Sequence, residues 1–396
     1  MRGGAGVFFN SRQPGSVNAS QSMISPFSPT VTITTPQGPF SNPFLGINNP
    51  FPLPNPIPKD TVVPTPVGVA SWDPYHKLMP ALFYNFNLAI ERQLKSDWLV
   101  RVAYVGTRST HLMTTEEQNP AIYTPGSTLG TDARRIYLPF GSIKLGTASG
   151  NSWYNSMQLS LEKRLSHGFI IHANYTWSKS IDNLPVGLDA VTPMLNATHT
   201  VSNNVQDFKS LDRGPSDFDF EYVFVVSYVW QLPTLSTRSR LFRGIAGGWQ
   251  FSGITSAQTG GPLTITAGRD QSQSGIGRDR AVAANQNAYG KGACQDRAPC
   301  VDYLTPTSFA IPQLGSFGSL GKGRFSGPGS FNTDVGIFKK FAFGERFSLQ
   351  VRAEFFSVFN TVRFNNPGVS VSGAGFGSIL SARDPRIGQL ALKFSF

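Results

Sequence analysis

Residues 218–232, FDFEYVFVVSYVWQL, alternate an apolar side chain with its neighbour over most of their length. Successive side chains of a strand point to opposite faces, so a period of two marks a β-strand with two unlike sides. Phe218, Phe220, Tyr222, Phe224, Val226, Tyr228, Trp230 and Leu232 make one side, and Asp217, Asp219, Glu221 and Ser227 lie on the other. A strand buried on both faces would be apolar on both. This one separates an apolar medium from a wet one.

The same period recurs along the chain. Leu82, Tyr84, Phe86, Leu88 and Ile90 stand against Asn85, Asn87, Ala89 and Glu91. Trp98, Val100, Val102 and Tyr104 follow a short turn at Lys95-Ser96. Then come Trp153, Met157, Leu159 and Leu161 against Tyr154, Ser156, Gln158, Ser160 and Glu162, and Phe169, Ile171, Ala173, Tyr175 and Trp177 against His172, Asn174, Thr176 and Ser178. Further strands are expected from Trp249 to about Gln258, near 331–341, near 347–359, and at the end. There Leu390, Leu392, Phe394 and Phe396 oppose Gln389, Lys393 and Ser395. With Arg2–Asn10 this makes about ten strands.

Their connections alternate between long (roughly 11–80, 109–151, 182–216, 260–330 and 361–385) and short. A soluble sandwich has no reason to keep every long loop at one edge, whereas an outer-membrane barrel carries short periplasmic turns and long outer loops. Trp98, Trp153, Trp177, Trp230 and Trp249 sit where strands meet loops, as interfacial girdles do. The expected fold is therefore all-β: a transmembrane antiparallel outer-membrane β-barrel, in part or whole. In domain terms, 1–10 is a strand stub, 11–80 a Pro-rich outer loop without paired strands, and 81–396 the remaining strands. Residues 1–80 hold 15 of the 29 prolines.

Composition narrows the function. Charged residues are 14% of the 396, against ~25% in soluble domains. The 40 glycines and 29 prolines interrupt helices, which argues against a soluble helical enzyme. No stretch supplies the ~20 apolar residues of a membrane helix. Met1-Arg2-Gly3-Gly4 does not read as a signal peptide. The net charge of +11 comes from 34 basic and 23 acidic residues, and the basic ones are scattered rather than gathered into a stripe, so nucleic acid is not an expected partner.

Nothing catalytic assembles. His76, His111, His167, His172 and His199 are dispersed, and no serine sits in a Gly-flanked elbow beside a base. No metal or cofactor is implied. Gly315, Gly318, Gly321, Gly323 and Gly327 suggest a phosphate loop around Lys322, but Ser316 and Gly323 break its spacing, and flexible loop glycine is the better account. Asp217, Asp219 and Glu221 on one strand face line up as lumen carboxylates that could bind a cationic solute, or pair with lumen arginines such as Arg101 or Arg352. Cys294 and Cys300, close together in a loop, are expected to form a small disulfide in an oxidising compartment. Leu390, Leu392, Phe394 and Phe396 are a candidate barrel-assembly signal.

Long segments also carry a resemblance. FGSLGKGRFSGPGSFNTDVGIFKKF (317–341), ERFSLQVRAEFFSVFNTVRFNNPG (345–368) and RIGQLALKFSF (386–396) resemble the end of Oar-like TonB-dependent transporters, common in acidobacteria and usually bearing a carboxypeptidase regulatory-like domain. YNSMQLSLEKRLSHGFIIHANYTWSKSIDN (154–183), YVFVVSYVWQLP (222–233), GGWQFSGI (247–254), RGGAGVFFN and FSNPF fit the same pattern. The resemblance implies a larger, plugged barrel of which these strands are the C-terminal part. It implies as partners outer-membrane lipids, the barrel-assembly machinery, an unidentified solute, and the TonB complex only when a plug and TonB box are supplied. A self-contained small pore, or an adhesin acting through its long loops, is the alternative.

Overall fold

The computed structural model describes residues 1–10, 37–47, 65–72, 79–184, 212–233, 244–277, 279–284, 288–290, 303–343 and 346–396, with Ile33 and Asn49. Among them, ten strands pair in chain order into one antiparallel sheet. They are β1 (Arg2–Asn10), β2 (Ala81–Lys95), β3 (Trp98–Glu117), β4 (Phe140–Ser166), β5 (Phe169–Asp182), β6 (Tyr222–Gln231), β7 (Trp249–Gln258), β8 (Ser330–Phe343), β9 (Phe347–Phe356) and β10 (Ile387–Ser395). The sheet does not close: β1 and β10 are its outer strands.

The ladder carries the alternation from strand to strand. One row runs Leu88↔Tyr104↔Met157↔Trp177↔Tyr222, the next Ile90↔Val102↔Leu159↔Tyr175↔Phe224↔Ala257↔Phe331. At the far side Leu349, Val351 and Ala353 face Phe394, Leu392 and Leu390. Every one of these lies on the same face. The other face holds Glu91, Arg101, Ser160, Asn174, Ser227, Ser256, Asp334, Arg352 and Glu354 in register. The apolar face stays uncovered, with Leu392 71% and Trp177 50% exposed. Tyr222 to Trp230 on β6 is nine ladder positions, close to the ~9–11 that a tilted strand needs to cross a bilayer.

The two ends of the sheet differ. At the short-connection end, Ser96-Asp97 and His167-Gly168 make tight turns, His167 and Gly168 both at positive φ. A Cβ on Gly168 would lie 2.3 Å from the Gln231 carbonyl oxygen, so only glycine fits there. The turns near Arg238 and at Gly344-Glu345 lie outside the described residues.

At the other end, β3 and β4 run well past the expected strands, to Glu117 and from Phe140, so the two ends of the expected loop 109–151 are strand and only its middle is loop. Bulges between Ser109 and Thr114, with His111 at φ 58°, mark where the ladder leaves the regular sheet. The extension is rich in Thr, Ser and Glu and lacks apolar alternation, so periodicity gives no sign of it. A strand also lies inside 11–80, where paired strands were not expected. Val67–Trp72 pairs parallel with β4 from Phe140 to Gly146. It is the proline-free stretch between Pro66 and Pro74. β9 stops at Phe356 rather than near 359, because Ser357 turns to φ 52° and gives its N–H to Asp334.

Candidate functional site

The long connections fold into a structured cap. Leu263, Ile265, Ala281, Ala288, Leu304, Phe309, Leu320 and Phe376 form its buried apolar core, and Phe309 packs edge-on against Phe325 and Phe376. This is a real core, drawn from two connections that the composition reads as irregular. The signal was brief: Leu263-Thr264-Ile265-Thr266-Ala267 alternates between Pro262 and Gly268.

Buried polar groups pin the cap to the sheet. Lys322 donates to Asp182, at the end of β5, over 2.5 Å and to the Leu184 carbonyl. Arg280 donates to Asp212 over 2.6 Å. Both pairs are almost wholly buried. In the β3–β4 hairpin, Glu117 accepts N–H groups from Asn119 and Ile143 and the hydroxyl of Ser142. The Asn119 amide donates to the carbonyls of Tyr137, Phe140 and Gly141 and accepts from the Tyr137 N–H. The hairpin then docks on the cap through Ala121 N–H to Ser274 and Arg134 to Gln273. Apart from the Arg280 Nε, which has no partner among the described residues, these buried polar groups are hydrogen-bonded, and a network of this kind holds one arrangement of the loops.

Asp279 sits inside the cap and accepts the Ser272 N–H and hydroxyl. Burial pushes its carboxyl above the ordinary range, against those hydrogen bonds, and neighbouring Asp270 adds to the rise. The Tyr303 hydroxyl, which donates to Ser326, is pushed up to about 12, chiefly by burial.

A cleft of about 610 Å³ opens beneath the cap, lined by Lys179, Asp219, Glu221, Tyr222, Phe224 and Gln258 among others. Lys179 donates to Asp219 over 2.6 Å, and the Ser180 N–H donates to the same carboxylate. The cleft thus offers aromatic walls, one neutralised ion pair and one further carboxylate, Glu221. Its lining suits a neutral or cationic polar group held beside aromatic rings.

The expected carboxylate row is corrected in position. Asp217, Asp219 and Glu221 do not share a strand face, because β6 begins only at Tyr222 and the preceding residues turn. Asp219 is buried and paired with Lys179. Arg101 instead meets Glu91, at 3.6 Å, and Arg352 donates to Gln350 and lies over Phe338. The alternation at 217–221 is real in sequence, but Pro215, already paired with β5, forces the chain to turn first.

Lys322 belongs to no phosphate loop, and the glycines around it are not flexible linkers. A Cβ on Gly318 would lie 1.9 Å from the Arg280 carbonyl oxygen. Leu390, Leu392 and Phe394 stand on the apolar face of β10, with Phe394 stacked on Phe347 at 6.0 Å and Phe396 beyond it. Cys294 and Cys300 lie outside the described residues, as do His76 and His199.

Two lysines that periodicity did not single out close the short-connection end. Lys163 pairs in register with Trp98 and lies over Trp98 and Phe169, donating to Ser166 and meeting Asp97 at 3.2 Å. Lys339 repeats the device on Trp249, with its ammonium on the Gly247 carbonyl. Each sits in the apolar face but turns its charge to the turn beneath, as an amphipathic side chain does at an interface.

Comparison with known proteins agrees with this architecture. A family model for an outer membrane beta barrel domain matches residues 1–389. Among solved structures, the chain is similar to the outer membrane transporter YddB from Escherichia coli, at 10% identity, covering 83% of this chain and 34% of that one, with a TM-score of 0.45. It is similar also to the pyoverdine outer membrane receptor FpvA from Pseudomonas aeruginosa PAO1 bound to pyoverdine, at 12% identity, 81% and 30% coverage and a TM-score of 0.37. The chain thus spans about a third of the length of these two structures. No curated protein matches. The two-faced meander and the match over nearly all its length give the same answer: the chain belongs to the outer membrane beta-barrel domain family.

Proposed function

We propose that these strands are part of the wall of a TonB-dependent uptake barrel of the Oar-like type, with the cap as its solute-facing end. The carrying observation is the open sheet, whose outer strands β1 and β10 are unpaired with one another. Each unpaired backbone group costs several kcal/mol in lipid, so a stable wall needs more strands on both sides. Coupling to TonB requires a plug and TonB box in addition to these strands. The cleft beneath the cap opens on the apolar face, beside Tyr222, Phe224 and Ala257, so its charged groups, Glu221 and the Lys179–Asp219 pair, border the membrane side, and the solute is left to the polar face. The Cys294–Cys300 disulfide would contribute ~2–3 kcal/mol by restricting the unfolded chain, and free-thiol counting on unreduced protein checks it.

The test is assembly. Produced alone, residues 1–396 should give no heat-modifiable, protease-resistant band, and co-production with the strands that complete the wall should restore one. Ion conductance by the chain alone in planar bilayers would instead establish the self-contained pore. Surface binding by such a closed barrel, without conductance, would establish the adhesin.

A further inference from the structure

The apolar face carries a feature that solute uptake does not use. Where β3, β4 and β5 approach the cap, Arg108 pairs in register with Trp153, and its guanidinium lies 6.0 Å from the centre of that indole. Arg213, next to Gly214, which pairs with Asp182 of β5, lies 5.7 Å from the same ring. One indole thus holds two guanidinium groups. Both arginines are exposed, and among the described residues neither has a carboxylate partner. The nearby acids are taken: Asp219 by Lys179, Asp182 by Lys322 and Asp212 by Arg280.

Each cation–π contact is only weakly favourable at an exposed site, while two like charges on one ring repel. An anion between or above them would remove that repulsion and accept paired N–H bonds from both.

Below this pair the ladder steps down the same face. Asn155 pairs with Lys179 one step on, and Tyr104, Met157 and Trp177 form the next row. Those residues, with Ser156, Ser178 and Lys179, line a groove of about 260 Å³ whose exposed surface is mostly that of the Tyr104, Met157 and Trp177 side chains. Tyr104 donates to Asn155 over 2.6 Å, which closes the top of the groove with a polar rim. From the guanidinium row to the groove is two ladder steps, roughly 13 Å. An apolar slot on the membrane face, capped by a rim of Tyr104, Asn155 and the ion-paired Lys179 and then by two unneutralised arginines, has the profile of a phosphorylated lipid with its acyl chains.

We infer that Arg108, Arg213 and Trp153 bind the phosphate of an acylated glycolipid in the leaflet beneath the long loops, whose acyl chain occupies the Tyr104–Met157–Trp177 groove. The site lies on the outer wall, next to the cleft of the cap, which shares Lys179 with the groove, and assumes only that the long connections face outside the cell.

The test uses the complete protein purified from outer membranes in mild detergent, with native mass spectrometry as readout. Bis-phosphorylated lipid A should be retained at least tenfold better than its dephosphorylated form or phosphatidylglycerol. The double variant R108Q/R213Q should lose that retention, while R352Q, on the polar face, should keep it. Heat-modifiability of each variant confirms that the wall has assembled, and R108K/R213K should recover part of the binding if folding limits the first pair. Equal retention of phosphorylated and dephosphorylated lipid, or unchanged retention in an assembled R108Q/R213Q protein, would overturn the assignment. So would selective retention of phosphatidylglycerol, since that lipid belongs to the opposite leaflet.

Discussion

Lys322 shows how much of this molecule depends on single buried charges. Its ammonium lies against Asp182 in a nearly solvent-free setting, and the pair joins the cap to the end of β5. Removing one partner strands the other without compensation, at a cost of ~3–5 kcal/mol. Lys322→Ala should therefore loosen the cap while leaving the membrane wall intact. Limited proteolysis of assembled protein should show faster cleavage within 303–330 and an unchanged heat-modifiable core. Equal protection in variant and parent would show the pair to be energetically neutral.

Asp279 gives the cap a pH dependence of definite sign. Its folded pKa is raised above 3.8, so the folded cap holds this proton more tightly than the unfolded chain. Ionisation therefore opposes folding. The contribution of this group is most favourable below the ordinary carboxyl pKa and is lost as pH rises through the raised folded value. Protease protection of 259–284 should fall as pH rises above the ordinary carboxyl value, and Asp279→Asn should flatten that fall. Protection that rises equally in both proteins would contradict it.

At the scale of elements, what the sequence disclosed follows from which surroundings its strands meet. Wherever a strand crosses between an apolar and a wet medium, as from Tyr222 to Trp230, the alternation named the strand, its faces and its neighbours. Where β3 and β4 continue past the membrane into polar packing beneath the cap, both faces are polar and nothing selects for alternation, so Thr114-Thr115-Glu116-Glu117 read as loop. The cap was hidden for a different reason. Its core draws one or two residues from each of many short segments, such as Leu304 and Phe376, which no local window connects. The carboxylates at 217–221 were misplaced because a period of two describes any extended run, paired or not.

β10 has the most exposed position of the ten strands, and every one of its residues is open in the described sheet. Its register presents Leu390, Leu392 and Phe394 to the apolar side, with Phe396 as the terminal aromatic. If Phe396 only adds apolar contact, its loss costs ~1–3 kcal/mol. If it is the feature by which the assembly machinery recognises the strand, deleting it in the complete protein abolishes the heat-modifiable barrel. Phe364→Ala, in the β9–β10 connection, should leave assembly unchanged. Normal assembly of the Phe396 deletion would leave only the contact role.

At the scale of the whole molecule, one surface organises everything else. The apolar face runs unbroken from Leu88 on β2 to Leu392 on β10, bordered at the short-connection end by Trp98, Phe169, Trp230 and Trp249 and at the cap end by Trp153 and Arg108. The face behind it is mainly polar, with Val223, Val225, Val229, Ile254 and Phe338 among its apolar members. Nitroxide labels placed singly at Phe224, Val225, Val226, Ser227, Tyr228 and Val229 of the complete protein in outer membranes test that division directly, by relaxation with oxygen and with a polar nickel chelate. Oxygen should dominate at Phe224, Val226 and Tyr228, and the chelate at Val225, Ser227 and Val229, with a strict period of two. Equal access of the chelate to both sets, or a period near 3.6, would contradict a sheet standing between lipid and water.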